Sequence, residues 1–156
     1  MTGTQHAVKR TFDIVAAAAG LVLLSPVLLL VALLVRATSG GPVLFRQQRI
    51  GRHGKPFTCV KFRTMRRGAE GDGAVTTARD SRITPAGRFL RRLKLDELPQ
   101  LWNVLLGRMS FVGPRPDVPG YADRLEGDAR RLLELRPGIT GPATLRFRDE
   151  EALLAR

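Results

Sequence analysis

Ile14–Val35, IVAAAAGLVLLSPVLLLVALLV, is the stretch that decides how this chain is arranged. It is uncharged throughout and long enough to cross a bilayer, whose core takes about 20 apolar residues as a helix. A signal peptide fits the positive start but not the length of the apolar run, and no A-x-A site follows. A simple spanning helix conflicts with two features. Ser25-Pro26 sits near the middle, where proline removes a helix hydrogen bond and clashes with the preceding turn. Basic residues also flank both ends, Lys9 and Arg10 before and Arg36, Arg46, Arg49 and Arg52 after, so the positive-inside rule assigns both ends to the same side. A helix that breaks at Ser25-Pro26 and returns to its side of entry satisfies both. Each arm is then about 12 residues, about 18 Å at 1.5 Å per residue, too short to span. Ser25 is the natural partner for backbone groups freed at the break.

Outward from that run, the 156-residue chain has room for one domain with a core. Its net charge of +12 calls for an acidic partner: nucleic acid, an anionic membrane or a phosphorylated substrate. Arginine dominates lysine, which suits bidentate phosphate contacts and equally suits a GC-rich genome. The single cysteine, Cys59, excludes an intrachain disulfide, and no Cys/His cluster points to zinc. Residues 1–8 carry no sign of fixed structure, 9–36 are expected to form the re-entrant membrane helix, and 37–156 are expected to form a region at the membrane interface.

After Gly40-Gly41-Pro42 the period changes. Val43–Ile50 and Pro56–Phe62 flank the turn-like Gly51–Lys55 and predict a β-hairpin. That turn lacks the spacing and the following Ser/Thr of a phosphate loop. Cys59 fits a core position, and His6 and His53 fit the surface. Gly68–Asp80, rich in Gly, Ala, Asp and Thr, predicts a mobile loop. Thr84-Pro85 predicts a helix start, with Arg88, Arg91 and Arg92 grouped on one face. In Leu95–Leu105, LDELPQLWNVL, Asp96 is the expected N-cap, and Leu98, Leu101, Trp102 and Leu105 the expected apolar face. Arg115 stands between Pro114 and Pro116, which holds its backbone in a preset direction. Asp123–Leu135 predicts an amphipathic helix, and Glu150–Arg156 looks helical after a turn at Gly141-Pro142.

The acidic pair Asp96-Glu97 lies among Arg88, Arg91, Arg92, Lys94, Arg108 and Arg115. There is no usable Ser/His/Asp or Cys/His arrangement for acyl transfer. Adjacent carboxylates rarely flank a sugar at the ~5 Å or more that glycoside hydrolysis needs. Carboxylates also hold Mg²⁺ and attack phosphorus, with arginines clamping the phosphate charge. A neighbouring membrane segment implies a lipid substrate. The competing view is a non-catalytic basic protein that binds anionic lipid or nucleic acid, for which paired carboxylates are superfluous.

Lys9-Arg10…Asp13, Ser25-Pro26, Gly41-Pro42…Phe45-Arg46-Gln47…Arg49-Ile50-Gly51, Lys61-Phe62-Arg63-Thr64-Met65, Leu95–Val104, Val112–Pro116 and Pro137–Gly141 follow one another at characteristic spacing. From about Lys9 to Arg148 the series resembles the bacterial sugar transferases, monotopic polyprenol-phosphate sugar-1-phosphate transferases (phosphoglycosyl transferases). The resemblance implies an α+β, mainly helical fold: an N-terminal re-entrant membrane helix, a small β-hairpin and interfacial amphipathic helices around the active site. It implies transfer of a sugar-1-phosphate from a nucleoside diphosphate sugar, expected to be a UDP-sugar, to polyprenol phosphate, with release of the nucleoside monophosphate. That is the first membrane step of surface glycoconjugate or exopolysaccharide assembly, at the cytoplasmic face of the bacterial inner membrane. Asp96 becomes the nucleophile of a covalent phospho-sugar intermediate and Glu97 its partner, the two carboxylates holding Mg²⁺. Arg91 and Arg115 become phosphate-binding residues, Arg115 facing the nucleotide, with Arg148 as a further one; Lys61 and Arg63 join the substrate site through their motif. The sequence departs from the family where Gly141-Pro142-Ala143-Thr144-Leu145-Arg146-Phe147-Arg148 replaces the usual Gly-Arg-containing stretch. The expectation is a small, single-domain member, short or truncated at its C-terminus. Nucleic acid is not an expected partner.

Overall fold

The computed structural model describes residues 3–68 and 80–146. Helix α1 (Gly3–Leu23) and helix α2 (Ser25–Ser39) are one apolar run bent by 63°. The bend falls at the expected dipeptide. Pro26 lies in the first turn of α2, where its missing N–H costs little. The Ser25 hydroxyl donates to the Val22 carbonyl (2.7 Å), one of the acceptors the break would otherwise orphan. Among the described residues no single helix is long and apolar enough to cross a membrane; only the bent pair passes together.

The helix starts earlier than expected. Residues 3–8, which the sequence left without fixed structure, already belong to α1. Tertiary anchoring explains this, because propagating a helix from a fixed turn is far easier than nucleating one. Arg10 donates to the carbonyls of Val104 (2.7 Å) and Leu105 (2.9 Å). Asp13, almost fully buried, accepts from the Ser110 hydroxyl (2.8 Å) and the Phe111 N–H (3.2 Å), and Lys9 reaches both Asp13 and Ser110.

Strands β1 (Leu44–Ile50) and β2 (Pro56–Phe62) form the antiparallel hairpin, with Phe45 opposite Lys61, Gln47 opposite Cys59 and Arg49 opposite Phe57. Side chains alternate across a strand, so Phe45, Gln47, Arg49, Cys59 and Lys61 share one face. Among the described residues no third strand covers the outer edge of β2. Instead fully buried Asn103 takes its place, donating to the Thr58 carbonyl (2.7 Å) and accepting from the Val60 N–H (3.1 Å). A side-chain amide has the donor and acceptor that an edge strand needs. This pair of bonds seats helix α4 (Gln100–Leu105) against the hairpin.

Helix α3 (Pro85–Arg92) begins as the sequence predicts: the Thr84 hydroxyl accepts from the Gly87 N–H (2.9 Å). Two apolar clusters hold the parts together. Ala17 of α1 meets Phe57, Cys59, Val104 and Met109; Val31 and Val35 of α2 meet Phe62 and Leu90. Each arm of the bent helix therefore buries one side against the domain. The other side stays open, and Val8, Phe12, Val15, Val22, Leu23, Leu29, Leu30 and Leu33 are all more than half exposed. So large an apolar surface marks an interaction face.

Strand β3 (Ser110–Val112) pairs in parallel with strand β4 (Gly138–Thr140), and helix α5 (Pro142–Arg146) follows. The intervening segment differs from the sequence expectation. In place of an amphipathic α-helix over Asp123–Leu135 there are 3₁₀ turns at Ala122–Arg124 and Gly127–Glu134. Gly127 enters the second with φ 56, and nothing in it is buried. Without an apolar face to bury, such a short segment has no packing energy to hold α geometry. The fold is α+β, as expected. Most of the Gly68–Asp80 loop and the helix expected at Glu150–Arg156 lie outside the described residues.

Candidate active site

Asp96 sits in a single 3₁₀ turn, Leu95–Glu97, between α3 and α4. Lys94 enters that turn in the left-handed region (φ 57), which reverses the chain sharply after α3. Leu95 packs on Val31, Val35, Phe62 and Leu90 and pins the turn to the core. The expected N-cap is not formed. Helix α4 starts only at Gln100, after Pro99, and has no side-chain cap. The apolar face of α4 also differs from expectation: Leu101 and Val104 are buried with Asn103, whereas Trp102 is half exposed. Asn103 occupies the inward position because the β2 edge demands a polar partner there.

Freed from capping, Asp96 is 6 % exposed, and its Oδ1 has no hydrogen-bond partner among the described residues. A buried unpaired carboxylate oxygen is costly. Burial pushes the Asp96 carboxyl above the usual aspartate range, and repulsion from Glu97 adds to this; Lys61, Arg91 and Lys94 pull the other way. The loss of water outweighs the pull of those three cations.

The hairpin and α3 bring the cations to it. Lys61 lies on the site face of β2, its Nζ 5.4 Å from the Phe45 ring centroid. Burial lowers the Lys61 pKa, Arg91 lowers it further, and Asp96 offsets them only in part. Arg91 is steadied by Thr64, whose hydroxyl accepts from its Nε (2.9 Å). Asp96, Lys61 and Arg91 thus form one electrostatic group. Glu97 faces a second group. Burial above all lowers the Arg49 pKa, with Arg115 acting in the same direction and Cys59, Asp117 and Glu97 opposing.

Arg49 was legible in the sequence only as one more cation, and here it is a connector. Its guanidinium binds the Gln47 side-chain oxygen (2.7 and 3.1 Å) and donates to the Pro116 carbonyl (3.0 Å). The neighbouring Ile50 N–H donates to the Asp117 carbonyl (2.8 Å). Together these bonds fasten the Pro114-Arg115-Pro116 segment to the hairpin and present Arg115, which is exposed, beside the site. Arg63 is placed differently from Lys61. It is buried, donates from Nε to the Pro42 carbonyl (2.9 Å) and lies 5.8 Å from the Phe45 ring centroid. That joins the end of the hairpin to the exit of α2. Arg148 lies outside the described residues. Cys59 is a core residue, as expected, its thiol pKa raised by burial.

Among the described residues no group of three or more Asp, Glu, His or Cys could cage a metal. Two adjacent carboxylates with one unpartnered oxygen fit Mg²⁺, which usually takes one or two protein carboxylates and completes its shell with water and substrate phosphates. An acidic pair flanked by fixed cations on both sides can hold a substrate with several phosphates and present a carboxylate oxygen to one of them.

Comparison with known proteins identifies the family. The bacterial sugar transferase family model matches residues 4–155. The UDP-glucose:undecaprenyl-phosphate glucose-1-phosphate transferase of Escherichia coli is 48% identical over 154 residues, covering 93% of this chain and 32% of that protein. The Caulobacter vibrioides protein of the same name is 47% identical, covering 88% and 53%. A Bacillus subtilis protein, named as a putative undecaprenyl-phosphate N-acetylgalactosaminyl 1-phosphate transferase, is 41% identical, covering 84% and 80%. The chain spans about a third of the length of the first of these relatives. A match running from Thr4 to Ala155, over the bent helix, the hairpin and the acidic turn alike, shows that the chain belongs to the bacterial sugar transferase family.

Proposed function

We propose that the chain catalyses transfer of a sugar-1-phosphate from a nucleoside diphosphate sugar, a UDP-sugar by analogy with the relatives' names, to polyprenol phosphate. The observation that carries this reading is the buried, unpartnered Oδ1 of Asp96 beside Lys61 and Arg91. In the first step an Asp96 oxygen attacks the sugar-bearing phosphorus. The bond to the bridging oxygen breaks, its electron pair leaving with the nucleoside monophosphate. In the second step a phosphate oxygen of the lipid attacks the same phosphorus, and Asp96 is released as carboxylate. Lys61 and Arg91 balance charge on the transferred phosphoryl group, and Arg115, steadied through Arg49, takes the nucleotide phosphate. Arg63 serves by holding the hairpin to α2, and Arg148 adds a further phosphate contact. Asp96 and Glu97 would hold Mg²⁺, which when bound neutralises phosphate charge. The product would enter surface glycoconjugate or exopolysaccharide assembly.

The covalent step has a direct test. Labelled UMP, incubated with UDP-glucose and protein but no lipid acceptor, is expected to enter the sugar nucleotide, because the first step reverses alone. Full transfer with no such exchange would overturn the intermediate and favour direct attack by the lipid.

The second part of the proposal is the setting. The exposed apolar side of α1 and α2 suits lipid, and both ends of the bent run carry cations. An arm such as α2, 15 residues and therefore ~22 Å long, inclined by half of the 63° bend, would reach ~12 Å deep. That stays within one leaflet of a ~30 Å core. We infer a re-entrant helix, with the catalytic region at the cytoplasmic face of the inner membrane. In a Cys59→Ser background, Thr4→Cys and Ala37→Cys, both at exposed positions, are expected to react with an impermeant thiol reagent from the same side. Reaction from opposite sides would show a spanning helix.

A further inference from the structure

A second basic cleft lies away from the Asp96 turn and shares none of its residues. Lys9 and Arg10 of α1, Arg52 of the hairpin turn and Arg136 before β4 line it, with Asp13 and Glu134 as the carboxylates among the described residues that line it. Its volume is about 60 Å³. At ~15 Å³ for each water-sized occupant, that is room for about four or five heavy atoms, the number in a phosphate group.

The four cations come from three distant parts of the chain, and each is held by a hydrogen bond to another part of the protein. Lys9 is tied to Asp13 and Ser110, Arg10 to the Val104 and Leu105 carbonyls, Arg52 to the Glu134 carbonyl (2.7 Å) and Arg136 to the Gly107 carbonyl (3.0 Å). A guanidinium has five N–H donors, and these bonds use two from Arg10 and one each from Arg52 and Arg136. Asp13, ion-paired with Lys9 at 3.4 Å, and Glu134 offset part of the four positive charges and leave the cleft cationic. The crowding has a cost: burial lowers the Arg136 pKa, and Arg52 and Arg10 lower it further. An anion in the cleft would relieve that repulsion and meet guanidinium groups that line it and keep unused donors, the groups that suit bidentate phosphate contacts.

We propose that this cleft is a second anion site that takes one phosphate group, from an anionic lipid headgroup or from free phosphate. Position favours the lipid. On α1, His6, Arg10 and Asp13 follow helical spacing on the cleft side, while Val8, Phe12 and Val15 form an exposed apolar stripe opposite. Lys9 and Arg10 also come just before the apolar run Ile14–Val35, so the cleft lies at the end of α1 where the polar chain gives way to the apolar surface. A headgroup held there would fix the depth and rotation of α1.

The test compares Arg52→Gln/Arg136→Gln with a charge-matched control, Arg124→Gln/Arg130→Gln, whose arginines are exposed and lie outside the cleft. Binding is measured to phosphatidylcholine vesicles with and without phosphatidylglycerol. The cleft pair is expected to lose about tenfold more of the affinity that phosphatidylglycerol adds than the control loses. Equal losses would mean a diffuse charge effect and overturn the site. Thermal shifts with dihexanoyl phosphatidylglycerol and with inorganic phosphate, each against chloride at equal ionic strength, separate the sources. A gain from the lipid alone assigns a lipid site. A gain from both, reduced in the cleft pair, assigns a site for the phosphate group itself. A gain as large in the cleft pair as in the native chain refutes the proposal. Arg52→Gln alone, on the hairpin turn, replaces the pair if the pair does not fold.

Discussion

Asp96→Asn is expected to stop sugar-phosphate transfer, by at least ~10,000-fold, and at the same time to raise the melting temperature. The first effect follows because an amide oxygen of nearly the same shape is not a nucleophile towards phosphorus, and loss of a covalent nucleophile ranks among the most damaging single changes. The second follows from the environment of the native carboxylate, buried beside Glu97 with one oxygen unpartnered. The folded-state pKa of Asp96 is raised, so the folded chain holds that proton more tightly than the unfolded chain does. The contribution of the group is therefore fully favourable below the unfolded aspartate pKa of about 3.9 and is lost as pH rises through the folded value. At neutral pH the charged group is a net cost, which asparagine removes, worth ~2–4 °C for each kcal/mol relieved in a chain of this size. The gain should vanish near pH 4 and open as pH rises. In the native protein the acid limb of the activity profile should lie above the ordinary aspartate range. A variant that stays inactive but melts no higher than native at pH 7.5 would refute the buried-charge account. A variant that turns over normally would remove Asp96 from the chemistry.

Gly113→Ala should be among the most damaging small substitutions outside the acidic pair. A Cβ there would lie 2.2 Å from the Arg136 carbonyl oxygen, 2.9 Å from the Gly138 nitrogen and 3.1 Å from the Pro137 carbonyl carbon. All three are backbone atoms, so no side chain can swing aside. Around this contact the Ser110 N–H donates to the Pro137 carbonyl (2.9 Å), the Gly138 N–H to the Pro114 carbonyl (2.8 Å) and the Gly113 N–H to the Thr140 carbonyl (3.0 Å). Prising β3 from β4 would break those bonds and release the segment that carries Arg115. A loss of more than ~3 kcal/mol is expected, at the severe end for one substitution, with weaker nucleotide binding in whatever protein remains folded. Gly3→Ala, with nothing within 4 Å of its added Cβ, is the control and should melt like the native chain. A Gly113→Ala protein as stable as that control would show that β3 and β4 can separate at little cost.

Much of this was legible in the chain itself. A proline inside a helical run removes a backbone hydrogen bond through its own ring, so the break at Ser25-Pro26 could be read without a partner in view, down to the hydroxyl that repairs it. Thr84-Pro85 and the hairpin are equally local, one a cap and the other an alternation around a turn. Local rules failed where distant segments supply the partner. Asp96 has the composition of an N-cap, but the 3₁₀ turn pinned by Leu95 keeps it out of that role. Trp102 follows helical spacing with Leu98 and Leu105, yet α4 turns Asn103 inwards because the open edge of β2 needs a donor and an acceptor. Arg63 and Lys61 are two residues apart in one motif, and burial directs one to Pro42 and leaves the other beside Asp96.

The kinds of element, the place of the helix break and the chemistry available follow from residue order alone: two adjacent carboxylates among arginines beside an apolar run. These depend on backbone sterics, side-chain periodicity and charge, all of which act over a few residues. Which charges meet was settled by packing. Val112–Pro116 and Pro137–Gly141, two separate turns in the sequence, are one parallel pair that presents Arg115. Lys61 and Arg91, 30 residues apart, close on one carboxylate. The physical reason is that burial is a collective property. Loss of water raises the Asp96 pKa, and no stretch of sequence shows how much protein will be folded around it.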